Sequence, residues 1–213
     1  MPRMLRVTGK GDSVARTTSS GWIWKLPALL CGRTIVCDEC LGNCHPSPLI
    51  RRDPGFRNAL VQIFVGGNTM MLNRAGIALA RAAAGQVVLH DWWLYQLISG
   101  TGGHVIYDEV PLLLYRQHGT NQVGASTGAG AKLRRMRLML RGRFHRWNGI
   151  NLAALAALAH RLTPENRAIL EGFTRMQRAG LIERLRILRQ LRLYRQELSG
   201  TLPLWLAALL GRI

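Results

Sequence analysis

Three short segments of this 213-residue chain hold the side chains with which proteins do chemistry. His90-Asp91-Trp92-Trp93 sets a carboxylate between an imidazole and two indoles, at an expected helix start. A carboxylate in a cleft can take the proton of a hydroxyl, and indole faces stack on sugar rings. The plainer use of an aspartate there is to cap the helix. Gly66-Gly67-Asn68-Thr69 puts two glycines and two small polar side chains directly before the apolar run Met70-Met71-Leu72. Backbone can approach a ligand closely at such a place, although a simple turn needs the same residues. Tyr115-Arg116-Gln117-His118 runs from a strand end into a glycine-rich stretch. An arginine and a histidine at a strand terminus suit a diphosphate or a metal ion held there.

The cysteines are a fourth candidate. Cys31, Cys37, Cys40 and Cys44 fall within 14 residues, and the 169 residues after them contain none. Cys37-Asp38-Glu39-Cys40 has the spacing of a zinc chelate, but Cys44-His45 is contiguous and closes a tetrahedron poorly, so buried or idle thiols are the simpler reading. The clustering is not that of a disulfide framework, and a reducing, cytoplasmic compartment fits it best. Gly9-Lys10-Gly11-Asp12-Ser13 lacks the spacing of a phosphate-binding loop.

The elements that must position these groups can be read from periodicity and breakers. Ala75 to Ala84 reads as a helix ended by Gly85, and Asp91 to Ser99 as a helix ended by Gly100. Val105 to Tyr107 and Val110 to Tyr115 flank Asp108-Glu109 and read as two short strands or one kinked strand. This middle region is α/β. Residues 1–50 show little sustained period, which predicts few elements there. Gly119 to Ala131 reads as a linker or mobile loop. Beyond it, Lys132 to Arg195 holds sixteen basic residues against three glutamates. There Leu181, Leu185, Leu188, Leu191, Tyr194 and Leu198 recur at helical spacing, and Thr163-Pro164 makes a good helix start.

Composition narrows the classes further. With 48% apolar and 19% charged residues the chain can build a core and is not of the disordered kind. No charge-free apolar stretch reaches the length of a membrane span, and no signal-peptide run follows the first basic residues. The net charge of +18 favours anionic partners. No nucleic-acid motif accompanies it, so no specific nucleic acid is expected, whereas the basic helical half suits an anionic membrane surface. The expected location is cytoplasmic, with peripheral contact at the inner face of the membrane.

Taken together, G-G-N-T-M-M-L-N-R, H-D-W-W and D-E-V-P-L-L-L-Y-R-Q-H-G-T-N, in this order and spacing, resemble the second half of bacterial family 2 glycosyltransferases. The likeness is greatest to the rhamnosyltransferase-like enzymes of surface polysaccharide synthesis. It runs from about Arg51 to Ser126, and the arginine-rich tail is similar to the C-terminal extension of the same enzymes. The resemblance implies an α/β fold: a partial GT-A half-domain over 51–126, preceded by a residual segment over 1–50 and followed by an α-helical basic extension over 127–213. It implies inverting transfer of a sugar, rhamnose among the candidates, from a nucleotide-sugar donor to a surface polysaccharide or lipid-linked acceptor. Asp91 then matches the catalytic base. Gly67, Asn68 and Thr69 match the loop below the acceptor, with Trp92 and Trp93 lining it. Arg116 and His118 match the vicinity of the leaving diphosphate and its Mn²⁺ or Mg²⁺, with His118 as a metal ligand. The family's acidic D-x-D motif has no counterpart, since no two carboxylates stand at i, i+2. The reading frame is accordingly expected to be truncated or mis-started at its N-terminus. Only Ile23 to Pro27 and Thr34 to Asp38 faintly resemble the family's first half. The alternative is a basic amphipathic helical module that binds an anionic membrane surface without catalysis.

Overall fold

A computed structural model describes residues 25–64, 66–83, 85–117, 142–197 and 201–213. Its strands are β1 (Ala28–Cys37), β2 (His45–Pro46), β3 (Met71–Leu72) and β4 (His104–Arg116). Its helices are α1 (Phe56–Ala59), α2 (Arg74–Ala82), α3 (His90–Gly100), α4 (Arg143–Ala157), α5 (Pro164–Arg178), α6 (Leu181–Leu191) and α7 (Thr201–Leu209), with short 3-10 turns at Gly67–Thr69 and Ala159–Arg161.

The sheet is mixed and β1 is its hub. β4 lies parallel along one edge of β1, from Ala28 opposite His104 to Cys37 opposite Arg116. On the other edge β3 pairs antiparallel with Leu29 and Leu30, and β2 with Ile35 and Val36. The hub therefore lies in the segment 1–50 that was expected to hold few elements. Its apolar ends, Ala28-Leu29 and Val36-Cys37, are buried, and the interruption Gly32-Arg33-Thr34 that hides it from periodicity is where the register shifts. Asp108 stands opposite Gly32 and Pro111 opposite Arg33, so Glu109 and Val110 bulge out of β4, and the Asp108 carboxylate accepts from Val110 N at 2.9 Å. The kink expected at Asp108-Glu109 is this bulge within one strand. Leu112, also skipped by the register, lies over Gly32, where a Cβ would come within 2.3 Å of it.

One hydrophobic cluster runs from Leu29 to Ile213, so the basic helices pack onto the α/β part and share its core. The expected helix starts are present. Thr163 Oγ1 accepts from Asn166 N at 3.2 Å, with Pro164 in the first turn of α5, and Asn73 Oδ1 caps α2 through Gly76 N at 2.8 Å. The leucine stripe continues only to Leu191, because Arg192 turns left-handed with φ 49° and ends α6. Residues 193–196 then cross back over 51–62. The Gln196 side chain accepts from Arg51 N and Arg52 N and donates to Arg52 O, while its backbone N–H donates to Gln62 Oε1. Asn58 Nδ2 donates to Tyr194 O, Arg195 to Val61 O and the Tyr194 hydroxyl to Asp53 O. This polar clasp fastens the helical half beneath the segment that leads to Gly66.

Candidate active site

The corner around Asp91 is built on α3. The helix opens after Leu89, whose φ of 55° is costly for a side chain with a Cβ and turns the chain sharply into His90. Asp91 is therefore in the first turn and is not the cap. It sits where the helix dipole favours a negative charge, with Oδ1 accepting from Trp92 N at 2.9 Å. No protein group bonds Oδ2 among the described residues. The carboxylate is half-buried, with one oxygen held and the other open.

Below Asp91, one face of α3 clamps the 55–62 segment. Trp92 Nε1 donates to Ala59 O at 2.7 Å and Gln96 Nε2 to the same carbonyl at 3.2 Å. The Tyr95 hydroxyl accepts from Gly55 N and can donate to Gly55 O or Asn58 Oδ1. Burial holds that phenol far above its ordinary value, so it acts as a neutral hydrogen-bonding post. Phe64 packs edge-on against both Tyr95 and Tyr107, at 4.9 and 6.0 Å.

These contacts correct the role given to the indoles. Trp92 is fully buried and stacks at 5.0 Å on Phe144, and Trp93 lies in the core at 5% exposure. Both are too enclosed to line an acceptor surface; their work is to set α3, and with it Asp91, against α1 and α4. The pairing of two large aromatics at the buried start of a helix is as much a core signature as a sugar platform, and sequence alone does not separate the two.

The glycine-rich turn does meet this corner. A Cβ on Gly67 would fall 2.6 Å from His90 Nε2 and 3.7 Å from Asp91 Cβ, so the lack of a side chain is what allows the turn to lie against the start of α3. Asn68 is exposed beside it. Thr69 is buried, and its hydroxyl bridges Gly32 N, Gly32 O and Gly66 O at 3.2–3.3 Å, stitching the turn to the middle of β1. Thr69 thus holds the turn in place, and Asn68 is its exposed polar side chain. Asn73, whose carboxamide links Ala28 N and Leu26 O, anchors the same turn from its far end.

Arg116 lies elsewhere. It is exposed at the end of β4 opposite Cys37, five residues along β1 from the Gly32 that Thr69 grips, which is about 16 Å at strand rise. His118 lies outside the described residues. At that same end of the sheet the chain makes a tight hairpin. Val36 pairs with His45, which sets Cys37 directly opposite Cys44, and the two form a disulfide with Cα atoms 4.2 Å apart. The expectation of idle thiols is corrected for this pair, because the β1–β2 register, and not the cysteine spacing, brings them together. Cys31 is a buried thiol pushed up to about 12 by desolvation, and Cys40 is an exposed one. Within the hairpin Asp38 Oδ1 accepts from Cys40 N and Gly42 N and its Oδ2 from Asn43 Nδ2. These bonds, that from Gly42 foremost, hold its carboxyl below the usual carboxylate range.

No three His, Cys, Asp or Glu side chains stand together among the described residues, and the oxygens of Asp38 are taken by its own turn.

Comparison with known proteins finds a partial match. A 57-residue stretch, 27% of this chain and 20% of the relative, is 42% identical to a dTDP-rhamnosyl transferase of Shigella flexneri. The chain thus matches about a fifth of the length of that curated relative. No family model and no solved structure matches it. Within that stretch the relationship is glycosyltransferase-like, on a mixed α/β fold.

Proposed function

We propose that this chain is the acceptor side of a family 2, GT-A-like glycosyltransferase that transfers a sugar with inversion from a nucleotide-sugar, such as a dTDP-rhamnose, to a hydroxyl of a surface glycan or a lipid-linked acceptor. The observation that carries the reading is the corner itself. Gly67, with the exposed Asn68 next to it, lies against the start of α3, where Asp91 keeps one carboxylate oxygen free of protein partners. An acceptor hydroxyl seated over Gly67 loses its proton to Asp91 Oδ2 as its oxygen attacks the anomeric carbon, and the nucleoside diphosphate leaves from the opposite face. His90, exposed at the rim and packed on Gly67, is placed to orient the acceptor. The match to a dTDP-rhamnosyl transferase supports the reaction class.

The test is titration of the chain with dTDP and UDP by calorimetry, followed by a transfer assay with nucleotide-sugars on the chain and its Asp91→Asn form. Micromolar diphosphate binding means that the chain completes a donor site of its own, and the turnover that follows is expected to fall about 100-fold or more in Asp91→Asn with binding retained. Turnover that survives the substitution removes Asp91 from the chemistry. A folded chain that binds neither diphosphate carries the acceptor side alone.

A further inference from the structure

The last helix is apolar on both faces. Every residue from Leu202 to Leu210 is hydrophobic or proline. Leu204, Ala207 and Ala208 turn into the core, at 4%, 3% and 0% exposure. Leu202, Leu206, Leu209 and Leu210 turn outward, at 76%, 40%, 47% and 52%, with Trp205 between the faces at 36%. Arg184 of α6 donates to Ala208 O and Ala179 O, which locks the end of α7 to the start of α6. Within one turn of that lock, Leu181 and Ile182 are also exposed, Ile182 at 86%. Two helices joined at this lock therefore each present outward apolar side chains that their own core does not use.

We infer that this α6–α7 surface docks on an anionic lipid bilayer, with α7 lying in the plane of the headgroups. Charge selects the occupant. From Gly172 to Ile213 there are eight arginines and two glutamates, and one of the glutamates, Glu183, is 3.9 Å from Arg186. Arg186 and Arg189 on α6, Arg178 at the end of α5 and Arg212 just after α7 are exposed. A second copy would bring the same cationic side chains, on a chain of net charge +18, against themselves. A phosphate-bearing surface meets them with opposite sign while the leucines and the indole enter the acyl boundary. Nine residues of helix reach about 13 Å, too short to cross a bilayer, and no helix among the described residues is long and apolar enough to do so. Of the helically spaced leucines, Leu188 and Leu191 are buried in the core, and Leu181 belongs to the outer face.

The test is co-sedimentation of the full chain with phosphatidylcholine vesicles, with and without phosphatidylglycerol. The expected result is binding to the anionic vesicles that weakens about tenfold or more in the Leu202→Ser/Leu206→Ser/Leu209→Ser form. Ile182→Ser, at the most exposed of these positions and without a part in the core, weakens it about threefold. Met71→Ser, an exposed apolar change on β3, leaves it unchanged; circular dichroism checks each fold. Equal pelleting on neutral and anionic vesicles, or anionic binding that salt abolishes but the serine substitutions do not alter, overturns the inference. So does a dimer in sedimentation velocity that the triple substitution dissociates, which would assign the surface to a second copy.

Discussion

Asp38 and Asp91 stand at comparable places, one just past the end of the central strand and the other just inside the start of a helix. Asp38 spends its carboxylate on its own turn, accepting from two backbone amides and the Asn43 carboxamide beside a disulfide. Asp91 gives one oxygen to the next residue and keeps the other open, beside a turn whose glycine lets it pack against His90. The first arrangement closes a hairpin and the second leaves a carboxylate oxygen accessible. Residue type and element boundary do not distinguish the two; the number of donors aimed at the carboxylate does.

The contrast is broken most severely at Asp91. In the transfer assay Asp91→Asn loses about 100-fold or more in turnover with its thermal midpoint unchanged, whereas Asp38→Asn leaves turnover intact. If the two variants lose turnover equally, the distinction between them fails. Next in size is the clamp under Asp91. Asn58 is fully buried, donates to Tyr194 O and Gln62 Oε1 and is within reach of the Tyr95 hydroxyl, so Asn58→Leu strands several buried polar groups. Chemical denaturation of that variant should show a loss of about 2 kcal/mol, and a loss near zero would mean that the clasp does not support the corner.

A smaller effect separates the aspartates by pH. The Asp38 carboxyl is held below its ordinary value of 3.8, so its hydrogen bonds are complete above that value and are lost as pH falls through the lowered one. Amide exchange at Cys40 and Gly42 should therefore accelerate only below the usual carboxylate range, and in Asp38→Ala it should be fast at every pH. The mildest probe is alkylation without reductant. Native protein should react at Cys40 while Cys31, buried and pushed up to about 12, stays silent until the chain unfolds.

How far the sequence revealed this can be judged from particular elements. The helices around Leu79, Asp91 and Thr163 are legible within a residue or two, because their breakers and caps are local. β1 is not, because a strand buried at both ends and interrupted at Gly32-Arg33-Thr34, opposite the β4 bulge, has no period-2 pattern to read. The disulfide is equally hidden, since it follows from the register of β1 with a two-residue strand. In the site, the meeting of the glycine turn with His90-Asp91 follows the expected order of motifs. The burial of both tryptophans does not, because it depends on Ala59 and Phe144, which come from either side in sequence. The exposed face of α7 escapes an amphipathicity reading for the opposite reason: a helix apolar all round has no polar side to mark which face is out.

The clasp between residues 51–62 and 194–196 also governs when the protein can finish folding. Its bonds join positions 134 to 145 residues apart. At a synthesis rate of about 5–20 residues per second, the 51–62 segment waits roughly 7–30 s on the ribosome before its partners exist. During that interval the carbonyls of Arg52 and Val61 and the carboxamide of Asn58 lack the groups that satisfy them, so the Asp91 corner is assembled late, by the arrival of the chain's last helices.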